Sequence, residues 1–438
     1  MTPELKTDIV ILGAGIGGYE AFRTLSRLLR RYNIKKQITI VDQNNYFTFT
    51  PLLHEVASGA VEPTHATLPL QELVYKTPHK FLKTTVTKIN PVQKIVTTSA
   101  GLMSYEFCVV ALGSTTNYYG VPGAEKNAYH TRSLAGAMIL RHNLIEKLES
   151  SQPEINIMVV GGGFTGVEVA GQLAYFARHD LAKLYPEKKI AITLVQTIGT
   201  LVPQLPLKAQ QIIFKRLKKM GVKILLNTAV KEVKEKLVVI EPFQQTSRDS
   251  STPARAFAQN DSPKKELVSD FTVWCAGFGN IANCFLEESF CATNHSIPTG
   301  PFLTHQTESS LYAIGDIAQV MNKNETKPLP QLGEVAYHEG RYVAEHIIAT
   351  MRKKTLAPFY FKSKGTLMPI GDRYGVAIFG PVVISGLFAW WLRRTVYLMF
   401  MPGFLRKLKI VFDWTLHLFG FSYIIAVERN MEHGPKNN

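Results

Sequence analysis

Two stretches of the chain repeat one pattern: a short apolar strand, a glycine-rich turn, a helix and a second apolar strand. They run from Thr7 to Asp42 and from Ile157 to Gln196, and together they predict an α/β fold with two Rossmann-like dinucleotide-binding domains. A third observation extends the expectation. Residues 366–438 turn aromatic and basic, which predicts a C-terminal region of amphipathic helices able to lie on a membrane.

In the first stretch, Asp8 to Leu12 reads as a buried strand and Gly13-Ala14-Gly15-Ile16-Gly17-Gly18 follows at once. Gly13 allows the tight turn, Gly15 lets backbone amides approach a pyrophosphate, and Gly18 lets the helix pack on the strand. Helical spacing then carries Ala21, Leu25, Leu28 and Leu29, and the run Ile38–Val41 ends in Asp42, an acceptor for ribose hydroxyls. The aligned N–H groups of the helix start suit the phosphates. The aromatic segment Asn44–Ala57, which includes Leu53, reads as a greasy loop lying against a core or a cofactor ring. Residues 81–99, with Val86 among them, alternate as hairpin strands. Phe107–Leu112, through Ala111, is another buried run, closed by Gly113-Ser114-Thr115, and would return beneath the first nucleotide.

The second stretch places Gly161-Gly162-Gly163-Phe164-Thr165-Gly166 after the strand Ile157–Val160, then a helix with Val167, Ala170, Leu173 and Ala174. Gln196 ends the following strand. An acid there would bind the ribose hydroxyls of NADH and repel a 2′-phosphate, whereas an amide forgoes that repulsion, so NADH is expected first without strict selectivity over NADPH. Leu207–Met220 reads as a helix. Glu241–Glu266 is rich in Ser, Gln, Pro and charge and reads as a mobile surface insertion. Asp270–Cys275 is strand-like and leads to Ala276-Gly277, and Leu311–Asp316 is a strand ending in Gly-Asp. Asp316 suits either flavin ribityl hydroxyls or a helix N-cap. A helix is expected within Pro330–Thr350, its apolar face formed by Val335, Ala336, Val343, Ala344 and Ile347. The run Tyr374–Leu392 approaches membrane-spanning length, but Gly380-Pro381 and Gly386 interrupt it, which favours helices lying in the lipid interface, with core helices or a dimer interface as the alternative. Arg393, Arg394, Arg406, Lys407 and Lys409 are expected to add attraction to anionic lipid.

The 438 residues are 46% hydrophobic and 19% charged, which excludes disordered and fibrous classes. A net charge of +15 points to an anionic partner, yet no nucleic-acid-binding motif accompanies it, so no nucleic acid is expected. Cys108, Cys275, Cys284 and Cys291 have no CxxC spacing, which argues against a flavin-side disulfide and against a metal centre. The start MTPELKTD leads directly into a strand, and folding in the cytosol is the expectation.

With these blocks in order, the chain resembles the type II NADH:quinone dehydrogenases, single-subunit and non-pumping members of the pyridine nucleotide-disulfide oxidoreductase superfamily. The resemblance rests on GAGIGG with Asp42, FTFTPLLHEVASG at 47–59, RSLAGAMILRHNL at 132–144, GGGFTGVEVAGQLA at 161–174, YAIGDIA at 312–318, GTLMPIGDRYGVA at 365–377 and the C-terminal WLRRTVYLMFMPGFLRKLKIVFDW. It implies the two-dinucleotide-binding flavoprotein fold, with an FAD domain over 1–120 and 295–365, an NAD(P)H domain over 121–294, and membrane docking and dimerisation over 366–438. It implies non-covalent FAD held by Gly13, Gly15, Gly17, Gly18, Asp42, Leu53, Val86, Ala111, Gly113 and Asp316. NADH would be held by Gly161, Gly163, Phe164, Thr165, Gly166, Gln196 and Gly277.

The resemblance also implies a membrane quinone as acceptor and a homodimer on an anionic bilayer, at the cytoplasmic face of a cell inner membrane or on a mitochondrial inner membrane. Glu168 matches the glutamate near nicotinamide and flavin; its plain alternative is a helix-start acid facing the dipole. Glu334 and His338 stand where the family has two quinone-end glutamines, so ionisable groups there could relay protons or mark a different acceptor. The competing readings are a sulfide:quinone oxidoreductase, a soluble NAD(P)H-dependent flavoprotein reductase, and a flavin-binding membrane scaffold.

Overall fold

The computed structural model describes residues 5–243, 264–323, 325–371 and 373–418. Contacts divide the chain into two compact units. The first comprises residues 1–49, 67–115 and 278–362, and the second 50–66, 116–277 and 363–438.

In the first unit, five parallel strands line up in the order Leu311–Ala313, Phe107–Val110, Ile9–Leu12, Ile38–Asp42, Lys80–Lys83. Ile9–Leu12 and Phe107–Val110 are buried at every position, as expected of inner strands covered on both faces. The helix Ile16–Arg31 buries Ala21, Leu25, Leu28 and Leu29, the spacing read in the sequence. The helix Gly333–Met351 crosses it closely: a Cβ on Gly340 would lie 2.2 Å from the Gly17 carbonyl oxygen. A four-stranded sheet, in the order Leu5–Lys6, Gly101–Ser104, Ile95–Thr98, Val86–Asn90, completes the unit. Val86, Ile89, Val96 and Met103 from it share a core with Val10, Leu12 and Val110.

The second unit repeats the design. Its five parallel strands run Ala128–Tyr129, Phe271–Trp274, Glu154–Val160, Lys189–Val195, Lys223–Leu225. The helix Phe164–Phe176 starts directly after the glycine turn, and Leu207–Lys219 buries Ala209, Ile213 and Leu217 at helical spacing. Three antiparallel strands, Thr366–Pro369, Gly375–Phe379 and Val382–Gly386, carry the helix Leu387–Phe400, so tightly that a Cβ on Gly375 would lie 2.8 Å from the Trp390 nitrogen. The run Tyr374–Leu392 is thus a hairpin turning at Gly380-Pro381 and the start of a helix. Among the described residues no helix is long and apolar enough to cross a membrane.

Some local expectations fail for identifiable reasons. Asn44–Ala57 is not one loop: Tyr46–Thr48 pairs with Thr67–Pro69, and Leu53–Ala57 is a short helix. Three residues of strand are too few for an alternating pattern to show. Lys80–Lys83 belongs to the parallel sheet, and the hairpin begins only at Val86. Both ends of the expected insertion are strands, Leu237–Pro242 and Lys265–Val268; its middle, 244–263, lies outside the described residues. Arg393 and Arg394 are 1% and 3% exposed, so neither reaches lipid. Positive charge alone suggested a surface, whereas their partners are brought in by tertiary contact.

Candidate functional site: two nucleotide cradles and a buried acid

The first cradle forms because the strand Ile9–Leu12 must turn sharply beside Ala111. Gly13 has φ +95°, and a Cβ there would lie 2.3 Å from the Ala111 carbonyl oxygen. A Cβ on Gly18 would lie 1.9 Å from the Gly13 oxygen, so helix and turn are in backbone contact. Gly15 differs, because nothing lies within 4 Å of where its Cβ would be. The helix that Gly15 caps has no side-chain cap on its first N–H groups. An open, uncapped helix start fits a pyrophosphate. Gly17 faces Ile314 and the Ala336 carbonyl oxygen.

Asp42 braces this turn as well as facing it. One carboxylate oxygen accepts from the Ala14 N–H at 2.8 Å and the other from the Asn44 N–H at 2.8 Å. Gly113, at φ +74°, has open space around it. The next residue, Ser114, donates its hydroxyl to Asp316 at 2.7 Å. The Asp316 carbonyl oxygen accepts from the Gln331 amide at 2.6 Å. The Gly315 N–H donates to Glu339 at 2.6 Å. Glu339 is a residue that sequence reasoning missed. It is 2% exposed, and burial pushes its carboxyl up to about 7. Val86 is a core residue of the same unit, and Leu53 falls in the second unit. Glu334 and His338 share one face of the helix Gly333–Met351, both half-buried, with the His338 ring 5.7 Å from Phe361.

The second cradle has the same physics. Gly161 has φ +104° with Ala276 2.7 Å from a Cβ, and a Cβ on Gly166 would lie 1.8 Å from the Gly161 oxygen. Gly163 is open, and the helix that begins with Phe164 and Thr165 has no side-chain cap. Gln196 takes the position of Asp42: its Oε1 accepts from the Gly162 N–H at 2.9 Å. That contact fixes the amide's orientation and leaves Nε2 as a donor, 3.4 Å from the Thr200 carbonyl oxygen. Gly277, at φ +151°, leaves room for the Tyr119 hydroxyl, 2.1 Å from where a Cβ would be.

Beside this cradle the second unit buries a charged network that sequence reasoning did not assemble. Glu168, on the first turns of the helix Phe164–Phe176, keeps 19% of its side chain exposed. Burial pushes its carboxyl up to about 7. His54 Nδ1 lies 3.9 Å from the Glu168 carboxylate. Arg393 Nη2 is 3.3 Å from His54 Nε2, and Arg393 Nη1 donates to Glu55 at 2.7 Å. The Trp414 indole N–H donates to the other Glu55 oxygen at 2.7 Å. Burial would raise Glu55, but Arg393 and Arg394 outweigh it and hold the carboxyl down at about 2. Burial, then the charge of Arg393, draws His54 down to about 3. A carboxylate left half-ionised near neutrality beside a nucleotide cradle is suited to exchanging or steering a proton there. The sequence signal was the HEVA of FTPLLHEVASG and the paired Arg393-Arg394, which only the fold joins.

Cys108 is fully buried, and burial raises its thiol. Cys275 is half-buried and pushed up to about 12, first by burial and then by Glu168. None of the four cysteines is disulfide-bonded.

Known proteins share this architecture. The chain is 25% identical over 431 residues to a probable NADH dehydrogenase of Dictyostelium discoideum, covering 93% of this chain and 88% of that protein. It is 25% identical over 401 residues to a type II NADH:quinone oxidoreductase of Staphylococcus aureus, covering 89% and 94%. Among solved structures, NDH2 from Plasmodium falciparum in complex with NADH superposes with a TM-score of 0.83 at 19% identity, covering 96% of this chain and 99% of that one. A sulfide:quinone oxidoreductase from Aquifex aeolicus superposes with a TM-score of 0.72 at 18% identity, covering 99% and 100%. The pyridine nucleotide-disulphide oxidoreductase family model matches residues 7–340, a span holding both glycine cradles, and the chain belongs to that family.

Proposed function

We propose that the protein is a type II NADH:quinone oxidoreductase that binds FAD in the first cradle and NADH in the second. The observation that carries this is the pair of open, uncapped helix starts at Gly15 and Gly163, each braced by a strand-end side chain. Relatives matched along most of their length support it, one named for NADH and another for NADH and quinone. When bound, the flavin would supply the hydride and two-electron chemistry linking nicotinamide to quinone, without proton pumping.

The chain's own residues do the positioning. Gly13 and Gly18 bring backbone N–H groups up to the FAD pyrophosphate, Asp42 takes the ribose hydroxyls, and Asp316 takes the ribityl chain. Gly161, Gly163 and Gly166 do the same for NADH, and Gln196 offers a donor where an acid would repel a 2′-phosphate. Glu168 holds or releases a proton beside the nicotinamide, and Glu334 and His338 supply ionisable groups at the acceptor end.

The helices Leu387–Phe400 and Phe404–Leu418 expose Leu387, Phe388, Trp391, Met399, Phe404, Leu405, Leu408 and Phe412, each at least half exposed. That apolar face, with Arg406, Lys407 and Lys409 along it, supports peripheral docking on an anionic bilayer. A homodimer at the cytoplasmic face of an inner membrane fits the same reading. The sulfide:quinone reading ranks below, because Cys108 is sealed in a strand and Cys275 stays a protonated thiol, a poor nucleophile. The deciding experiment is purification, an absorption spectrum, and NADH oxidation with and without a short-chain quinone. A yellow protein with quinone-dependent NADH oxidation is expected; a colourless one that cannot be reconstituted with flavin overturns the proposal.

A further inference from the structure

Within the second unit, the contact between His54 and Glu168 has a direction that the donors and acceptors around the imidazole favour. A guanidinium has donors only, and Arg393 Nη2 at 3.3 Å is nearer to His54 Nε2 than the Glu55 carboxylate at 3.7 Å, so the contacts favour a lone pair on Nε2. The imidazole proton then sits on Nδ1, and Nδ1 is the atom facing Glu168 at 3.9 Å. A second proton on the ring is disfavoured by burial and by the Arg393 charge. The charged and titratable groups around the pair are Glu55 on the helix of His54, Arg393 and Tyr397 on the helix Leu387–Phe400, and Cys275 beyond the strand Phe271–Trp274. Arg393 and Glu55, in contact at 2.7 Å, act on the pair with opposite signs, Arg393 the more strongly. The neutral N–H of His54 is the directional group aimed at the acid.

We propose that His54 is a positioning residue for Glu168: Arg393 holds it as the neutral Nδ1–H tautomer, and it presents that N–H to the Glu168 carboxylate. At 3.9 Å the contact is longer than a direct hydrogen bond, and the proposal requires that it shorten when substrate binds. A donor to the ionised form favours that form, so His54 sets the pH at which Glu168 gives up its proton. The inference rests on the reading of Glu168 as the acid beside the nicotinamide.

Two measurements on the full-length, FAD-loaded protein test it. Nitrogen-15 NMR of histidine-labelled protein is expected to show His54 as the Nδ1–H tautomer, uncharged from neutrality down to about pH 5. The Nε2–H tautomer, or an imidazolium at neutral pH, overturns the proposal without any mutation. The second is the pH profile of flavin reduction by NADH in stopped flow. Glu168→Gln should abolish its acid–base step, His54→Leu should move the step up by about one pH unit, a tenfold change in acidity, and His54→Asn, whose amide N–H overlays Nδ1–H, should restore it. A step that survives Glu168→Gln overturns the reading of Glu168 itself. A step abolished by Glu168→Gln but unmoved by His54→Leu overturns only the role of His54. If His54→Leu fails to retain FAD, the tautomer and the His54→Asn profile decide.

Discussion

Gly163 and Gly166 stand one turn apart, yet the same added methyl would do different things to each. At Gly163 it meets nothing within 4 Å, and the backbone is extended, so Gly163→Ala should leave the melting temperature within about 2 °C and weaken NADH binding about tenfold or more. At Gly166 the methyl would lie 1.8 Å from a carbonyl oxygen, so Gly166→Ala should cost stability as well, roughly 2 kcal/mol or more. Titration of NADH beside thermal denaturation separates the two. Gln196→Glu should raise the NADH-over-NADPH ratio of kcat/KM about tenfold, since it places a carboxylate where a donor now sits; an unchanged ratio would remove Gln196 from the ribose site. The positions of these residues were legible in the sequence because they are local, a helix start or a strand end. His54, Glu55 and Arg393 were not, because each is an ordinary polar residue until residues more than three hundred positions apart in the chain come together.

Among the elements, the helix Phe404–Leu418 shows what periodicity can and cannot reveal. Its outward face, Phe404, Leu405, Leu408, Val411 and Phe412, was readable as amphipathic. Its inward face is Ile410, Asp413 and Trp414, and two of these are polar anchors. The Asp413 carboxylate sits 2.5 Å from His65 Nδ1, and Trp414 donates to Glu55. A hydropathy pattern counts Asp413 as a surface residue, and only its partner shows otherwise. Leu405→Glu with Leu408→Glu should abolish sedimentation with anionic vesicles while leaving NADH oxidation by a water-soluble quinone within about twofold. Retained vesicle binding would defeat the docking role. Arg393→Met removes one partner of a buried pair and should destabilise by about 3–5 kcal/mol in denaturant unfolding. The inner strands of both parallel sheets were legible as apolar runs, whereas Lys80–Lys83 read as part of a hairpin and Ala128–Tyr129 gave no signal. Tyr46–Thr48 was not legible, because three residues carry too little pattern.

For the molecule as a whole, the shifted groups set a pH window for stability. His54, drawn down from 6.5 to about 3, and Glu55, from 4.5 to about 2, contribute stability that is present above 6.5 and 4.5 and is lost as pH falls through 3 and 2. Glu168 and Glu339, raised from 4.5 to about 7, contribute stability that is present below 4.5 and is lost as pH rises through 7. Between pH 4.5 and 6.5 the two raised acids lose stability with rising pH faster than His54 gains it, so melting temperatures should peak near pH 4.5 and fall towards pH 7; a curve that rises from pH 5 to pH 7 would show that the buried acids are not neutral. One construction detail also limits how the chain can be shortened. Because Arg393 neutralises Glu55 and Trp414 caps its second oxygen, cutting the chain before Leu387 would do more than remove two helices with an exposed apolar face. It would leave the Glu55 anion without its cation and its indole donor close to Glu168, and the trimmed protein should lose any proton handling that Glu168 performs.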